Sequence, residues 1–247
     1  MTAVPLVLPN PGHGWGLAVF PLLAAAISLA FAGALVRRLA TKWRLYEAVW
    51  AVALLMYAGA SLAAAVGVAN GWTTNEYRLY WLLGAVLNVP FLAVGEAYLL
   101  FRRRMYAHAL LVALVALSVV AAVIVWTSSV NTAELTKALP LGNDAWRVSR
   151  LPYHLRWLSW IGYVALVAGL VWSARVMGSN PQLRSRTAGV LVIALGATVV
   201  AIGSGVGAGL NVVPLFAIGL ALGIAVMFWG FILSSRPARS PVPQTRS

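Results

Sequence analysis

Residues 88–104 of the chain read NVPFLAVGEAYLLFRRR. A mostly apolar run ends at three consecutive arginines, as the cytoplasmic end of a membrane-spanning helix does. The run nevertheless contains Asn88 and Glu96. The composition of the rest of the chain settles the fold class first, and these two polar residues then become candidates for a site.

Composition predicts a membrane protein. Of 247 residues, 62% are hydrophobic and 9% are charged, whereas soluble domains carry about 25% charged residues. A spanning helix needs about 20 mostly apolar residues. Seven runs of that length occur, at residues 15–36, 45–69, 79–101, 105–127, 152–174, 187–209 and 212–235. The sequence therefore predicts an all-α integral membrane bundle of seven transmembrane helices in one domain, residues 1–235, followed by a disordered tail at residues 236–247.

Basic residues predict the orientation of this bundle. Thirteen of the eighteen Lys and Arg residues fall in connections on one side of the predicted helices, and five fall on the other. Because Lys and Arg are enriched in cytoplasmic loops, we expect the amino terminus outside and the carboxy terminus inside. Residues 1–14 lack a basic n-region, so the first span is expected to stay uncleaved. The net charge of +13 then reflects topology and anionic lipid, with no nucleic-acid partner.

The longest connection, residues 128–151, falls on the predicted outer side. Its length is sufficient for two short helical turns, and loops of this length are often functional. Trp146 and Leu151 would let it lie on the bundle as a lid. The alternative is a simple linker between antiparallel helices.

Small residues predict the closest helix contacts. Gly203 and Gly207 in the sixth run, and Gly219 and Gly223 in the seventh, have the small-xxx-small spacing that lets helices approach closely in lipid. Because the turn between these two runs is short, we expect them to pack as an antiparallel hairpin.

Ionisable residues within the spans are few, because each is costly there. Glu47, Glu96 and His108 are all predicted just inside the cytoplasmic boundary, near Arg44. If their helix faces point inward, the four residues form a polar cluster suited to proton relay or switching. The alternative is that the two carboxylates tie helix ends to neighbouring arginines.

Asn88 is predicted deeper, as a candidate mid-membrane polar site. Pro90 has no backbone N–H and therefore leaves one carbonyl of the helix without its partner. We expect the Asn88 amide to help satisfy the backbone at this point.

Several cofactor chemistries lack their residues. The lysines, Lys42 and Lys137, fall between the spans, so a retinal Schiff base cannot form although the topology resembles that of rhodopsins. The histidines, His13, His108 and His154, fall at different ends, which disfavours a bis-His haem or a three-His zinc site. The sequence therefore predicts no cofactor and no metal, and it shows no catalytic constellation.

One resemblance accompanies these patterns. RLYEAVWAVALLMYAGASLA at residues 44–63 and YRLYWLLGAVLNVPFLAVGEAYLL at residues 77–100 resemble a family of uncharacterised actinobacterial polytopic membrane proteins. The resemblance implies a bacterial plasma-membrane location and transfers no functional motif.

Three functions remain open at this point. The leading hypothesis is a non-enzymatic sensor, or a protein that binds an apolar small molecule or a lipid in a central pocket. The second is a proton-linked transporter that uses Glu47, Glu96, Asn88 and His108. The third is an accessory subunit that binds a larger membrane-protein partner through its glycine faces.

The absence of cysteine allows a clean test of the predicted orientation. We expect Ser129→Cys to react with a membrane-impermeant maleimide in intact cells, and Ser179→Cys to react only after permeabilisation. The unsubstituted chain is the unlabelled control. Labelling of both positions from the same side would contradict the orientation.

Overall fold

The structure is a computed structural model that describes residues 15–235, apart from the side chain of Pro181. Over this range the chain is all-helical, with no strand among the described residues. Predictions about residues 1–14 and about the tail at residues 236–247 lie outside that range. Seven helices are long and apolar enough to cross a membrane: α1 (Trp15–Thr41), α2 (Leu45–Asn70), α3 (Thr74–Leu100), α4 (Arg104–Thr127), α5 (Leu151–Gly178), α6 (Arg184–Gly207) and α7 (Val213–Ser234).

The seven helices confirm the seven predicted runs, with one informative difference at a boundary. α3 begins at Thr74, earlier than the predicted residue 79, because Thr73 caps its amino end. The Thr73 hydroxyl accepts the Glu76 N–H at 3.3 Å, and the Glu76 carboxylate accepts the Thr73 N–H at 2.9 Å. This capping box extends the helix into residues too polar for an apolar run to reveal.

Six of the helices form a closed ring in the order α1, α2, α3, α5, α6, α7, in which each packs on the next and α7 returns to α1. α4 lies outside this ring, chiefly against α3 and the start of α5. It is the most apolar helix and the least buried of the seven. We name the two ends of the bundle by their connections: the long-loop end has residues 71–73, 128–150 and 208–212, and the arginine-rich end has residues 42–44, 101–103 and 179–183.

Two of the ring helices contain a π-helical turn. In α3 it spans Trp81–Leu87, directly before Pro90. A proline ring collides with the carbonyl four residues earlier, and a widened turn at that place relieves the collision. In α6 the π-helical turn spans Gly203–Gly207, where three of five residues are glycine.

α6 and α7 form the predicted antiparallel hairpin, closed by a turn in which Asn211 has a φ of 55°. Their contact is a seam of glycines. A Cβ added to Gly203 would lie 2.7 Å from the Cα of Gly219, and one added to Gly207 would lie 2.7 Å from the Phe216 nitrogen. Gly223 is equally confined, with a Cβ there 2.7 Å from the Val200 nitrogen. Three further glycines that the sequence analysis did not single out extend the seam toward the arginine-rich end: Gly189, Gly196 and Gly230.

The connection at residues 128–150 folds back across the bundle. It contains two short helical turns, Glu134–Thr136 and Gly142–Ala145, as predicted. Trp146 is 0% exposed and anchors the loop among Tyr77 and Trp81. Leu151, which was expected to do the same, is 62% exposed. The loop is thus a cover over the long-loop end.

The glycine seam predicts a sharp contrast between two substitutions. We expect Gly203→Ala to destabilise the protein by about 1–3 kcal/mol, because its Cβ would overlap the α7 backbone. Gly33→Ala in α1 is the matched control, since nothing lies within 4 Å of a Cβ there. Thermal unfolding in detergent should show a lower midpoint for Gly203→Ala alone. Equal midpoints would contradict the seam.

Candidate functional site

A central cavity of about 410 Å³ lies between the ring helices, in the half of the bundle nearer the long-loop end. Five helices, α2, α3, α5, α6 and α7, contribute to its wall, and residues 140–143 of the long connection cover it. Most of the lining side chains are aliphatic or aromatic. A volume of this size and an apolar wall are typical of small-molecule sites.

Both π-helical turns border this cavity. Trp81, Gly84 and Ala85 line it from the turn in α3, and Ser204 and Gly205 line it from the turn in α6. A π turn widens a helix locally and is frequent at functional sites. The only sequence signals for these turns are Pro90 and the glycine-rich GSGVG at residues 203–207, whose small-residue spacing by itself predicts helix packing.

Asn88 lies at the end of the first π turn and lines the cavity. Its side chain is almost fully buried at 3% exposure, and its Oδ1 atom has no hydrogen-bond partner in the described part of the chain. The expectation that this amide satisfies the backbone near Pro90 is wrong. The Ser159 hydroxyl of α5 instead donates to the Val86 carbonyl at 3.1 Å. Asn88 cannot reach that carbonyl because a residue two positions further on lies on the opposite face of the helix.

Two tyrosine hydroxyl groups of the wall are used within the protein. The Tyr57 hydroxyl donates to the Leu220 carbonyl at 2.9 Å and ties α2 to α7. The Tyr163 hydroxyl donates to Thr198 at 3.0 Å and ties α5 to α6. These bonds fix the wall, whereas the Asn88 amide remains available to a molecule in the cavity.

Hydrogen bonds from two indoles hold the long connection and the start of α5 over the cavity. The indole of Trp72, just before α3, donates to the Ala138 carbonyl of the connection at 3.0 Å, and the indole of Trp81 donates to the Pro152 carbonyl in the first turn of α5 at 2.9 Å. Gly142 lies so close to the Trp81 ring that a Cβ would overlap it. Within the connection, the buried Glu134 accepts the Leu141 N–H at 3.1 Å.

Glu47 is the first member of the predicted polar cluster. It is 1% exposed, and its Oε1 atom lies 3.2 Å from Arg38 Nε and 4.0 Å from Arg44 Nη1. The Tyr46 hydroxyl also donates to it, at 3.1 Å. A hydrogen bond to Tyr46 raises the pKa of Arg44 above its ordinary value. Glu47 thus joins α2 to α1, and its closest arginine is one that sequence analysis had not paired with it.

The other two members lie elsewhere. Glu96 accepts a hydrogen bond from Ser173 of α5 at 2.8 Å. His108 lies on the peripheral α4, where its Nδ1 is 2.7 Å from the Arg104 carbonyl. No hydrogen bond or ion pair joins Glu47, Glu96 and His108 within residues 15–235. Of the four predicted members only Glu47 and Arg44 are in contact, because similar depth along three helices does not bring their side chains to one face.

Comparisons with protein-family models, curated proteins and solved structures found no match to this chain. The actinobacterial resemblance of residues 44–63 and 77–100 therefore stays a prediction.

The unpaired amide predicts an unusual response to substitution. We expect Asn88→Leu to stabilise the ligand-free protein by about 1–2 kcal/mol, because it removes a buried polar group without a partner. Ser159→Ala should have the opposite effect, since it leaves the Val86 carbonyl unpaired. Denaturant unfolding of the purified proteins measures both. Destabilisation by Asn88→Leu would show that its amide has a partner.

Proposed function

We propose that this chain is a multi-pass protein of the bacterial plasma membrane that binds one small, largely apolar molecule in its central cavity. It acts as a non-enzymatic binding protein or sensor. The observation that carries the proposal is the cavity of about 410 Å³ with the unpaired Asn88 amide in its wall.

Support for the membrane comes from the outer surface of the helices. On α4, Val112 and Val119 are 70% and 61% exposed, and they belong to a helix that is apolar all round. An apolar surface this large is unfavourable in water and needs no compensation in lipid. The arginines of one end support the expected orientation, with the carboxy terminus inside. The long-loop end and its cavity then face the outside.

Two unfavourable features of the empty protein support a bound ligand. A cavity deprives the surrounding side chains of contacts, and a buried amide without a partner loses hydration of about 1–3 kcal/mol. Both occur at one place, between two π-helical turns. A bound molecule with an apolar body and one hydrogen-bonding group would offset both.

The geometry favours this function over the two alternatives. A proton-linked carrier was based on Glu47, Glu96, Asn88 and His108, which the structure places at separate contacts. An accessory subunit was expected to present its glycine faces to a partner. Those glycines instead pack α6 against α7, which leaves them no surface for another protein.

A brominated alcohol tests the binding function. Trp81 and Trp160 line the cavity, so we expect 8-bromooctan-1-ol to quench part of the tryptophan fluorescence saturably in protein-containing lipid nanodiscs. Ala201→Phe introduces a ring into the cavity wall and should raise the dissociation constant at least tenfold. Ala113→Phe adds the same ring on the exposed face of α4 and should leave it unchanged.

Simple partition of the alcohol into lipid gives quenching that is linear and equal in all three proteins. That result would contradict the proposal.

A further inference from the structure

Arg156 has no acidic partner at the cavity. It lines the cavity from near the amino end of α5, and its Nε atom is buried without a hydrogen-bond partner among residues 15–235. The ion pairs within residues 15–235 involve Arg38, Arg44, Lys137 and the glutamates beside them, and none reaches Arg156. Its guanidinium carbon lies 4.0 Å from the centre of the Tyr153 ring. A ring on one face holds the guanidinium flat and leaves its edge to donate hydrogen bonds.

A second, polar cavity of about 300 Å³ adjoins the first. The two share Asn143 and Tyr153 in their walls, next to Arg156. Arg147, Arg150 and Asp144 also line the second cavity. With two guanidinium groups against one carboxylate, its formal charge is positive even before Arg156 is counted. An anion approaching Arg156 from this side therefore meets a favourable field.

We propose that the ligand is an anionic amphiphile whose acid head group binds Arg156 and whose apolar body fills the central cavity. This inference rests on the proposed function and names its ligand class. The buried Nε atom of Arg156 has no hydrogen-bond acceptor among residues 15–235, and a carboxylate or phosphate would supply one. The planar fork of arginine fits both of these groups through paired hydrogen bonds.

The depth of Asn88 adds a second feature of this ligand. Ser159 contacts Val86 and Gly162 contacts Pro90, so Asn88 lies level with the stretch between Ser159 and Gly162. That stretch is three to six residues beyond Arg156, or about 5–9 Å along α5. An amphiphile held at Arg156 therefore passes Asn88, where a hydroxyl, carbonyl or amide in its body would pair with the free amide.

Two probes of the same chain length, an acid and an alcohol, separate the contribution of the charge to binding from that of the apolar chain. We expect wild-type protein in phosphatidylcholine nanodiscs at pH 7.5 to bind 8-bromooctanoate at least tenfold more tightly than 8-bromooctan-1-ol, by saturable tryptophan quenching. Arg156→Gln should abolish this preference, because the acid loses at least tenfold more affinity than the alcohol does. Arg156→Lys should keep part of it, because the charge remains but the planar fork is lost. Arg184→Gln at the arginine-rich end is the matched control and should keep the full preference.

Equal affinity for the two probes in the wild type, or an undiminished preference in Arg156→Gln, would overturn the inference about the head group. Saturable binding of the alcohol in the same experiment would still support the proposed function. Absence of saturable binding by either probe would remove both. If Arg156 had only a structural role, Arg156→Gln would weaken binding of the alcohol and of the acid by the same factor. That result would also contradict a head-group site.

The same assay identifies the source of the anion. Replacing part of the phosphatidylcholine by phosphatidylglycerol supplies a phosphate head group within the bilayer. Weaker apparent binding of 8-bromooctanoate to the wild type, with no such change in the alcohol, would assign the site to a lipid head group. Unchanged binding would assign it to a free single-chain acid.

Discussion

The hydrogen bond from the Ser159 hydroxyl to the Val86 carbonyl, at 3.1 Å, is the interaction on which the cavity wall depends. Pro90 has no N–H to offer that carbonyl, and apolar surroundings contain no water to replace it. The serine supplies the missing donor and thereby fixes α5 beside α3. Gly162 makes the approach possible, because a Cβ there would lie 2.9 Å from the Pro90 nitrogen. The π turn at Trp81–Leu87 widens α3 on the amino-terminal side of this contact with α5, and the cavity lies beside the π turn.

The helices were predictable from the sequence because length and apolar composition are properties of each run by itself. Their arrangement was not. α4 is apolar on every side, so its pattern gives no indication that it lies outside the ring. A weak signal does exist in hindsight: Ala107, Leu114 and Ala121 are spaced by seven residues, and together with Val125 they are its buried positions. This stripe is narrow enough for contact with one neighbour, whereas a ring helix needs a broader inner face.

The candidate site was predictable only in part, for the same reason. Asn88 could be singled out because a deep amide is costly, yet its supposed partner at the Pro90 break was wrong, since Ser159 belongs to a helix whose position no local pattern shows. Glu47 and Glu96 have similar predicted depths, but the first turns toward Arg38 of α1 and the second toward Ser173 of α5. Depth follows from counting residues along one helix, whereas pairing depends on the order of the helices around the ring.

Gly203 links the packing of the bundle to the shape of the cavity. It contacts Gly219 in the seam between α6 and α7, and it is also the first residue of the π turn that presents Ser204 and Gly205 to the cavity. The Ser204 hydroxyl bonds back to the Val200 carbonyl at 2.7 Å, so the turn satisfies its own polar side chain. Since Gly223 confines Val200 from the other helix, a displacement of α7 along the seam would move this part of the wall with it. The glycines that hold α6 against α7 therefore also help to set the shape of the cavity.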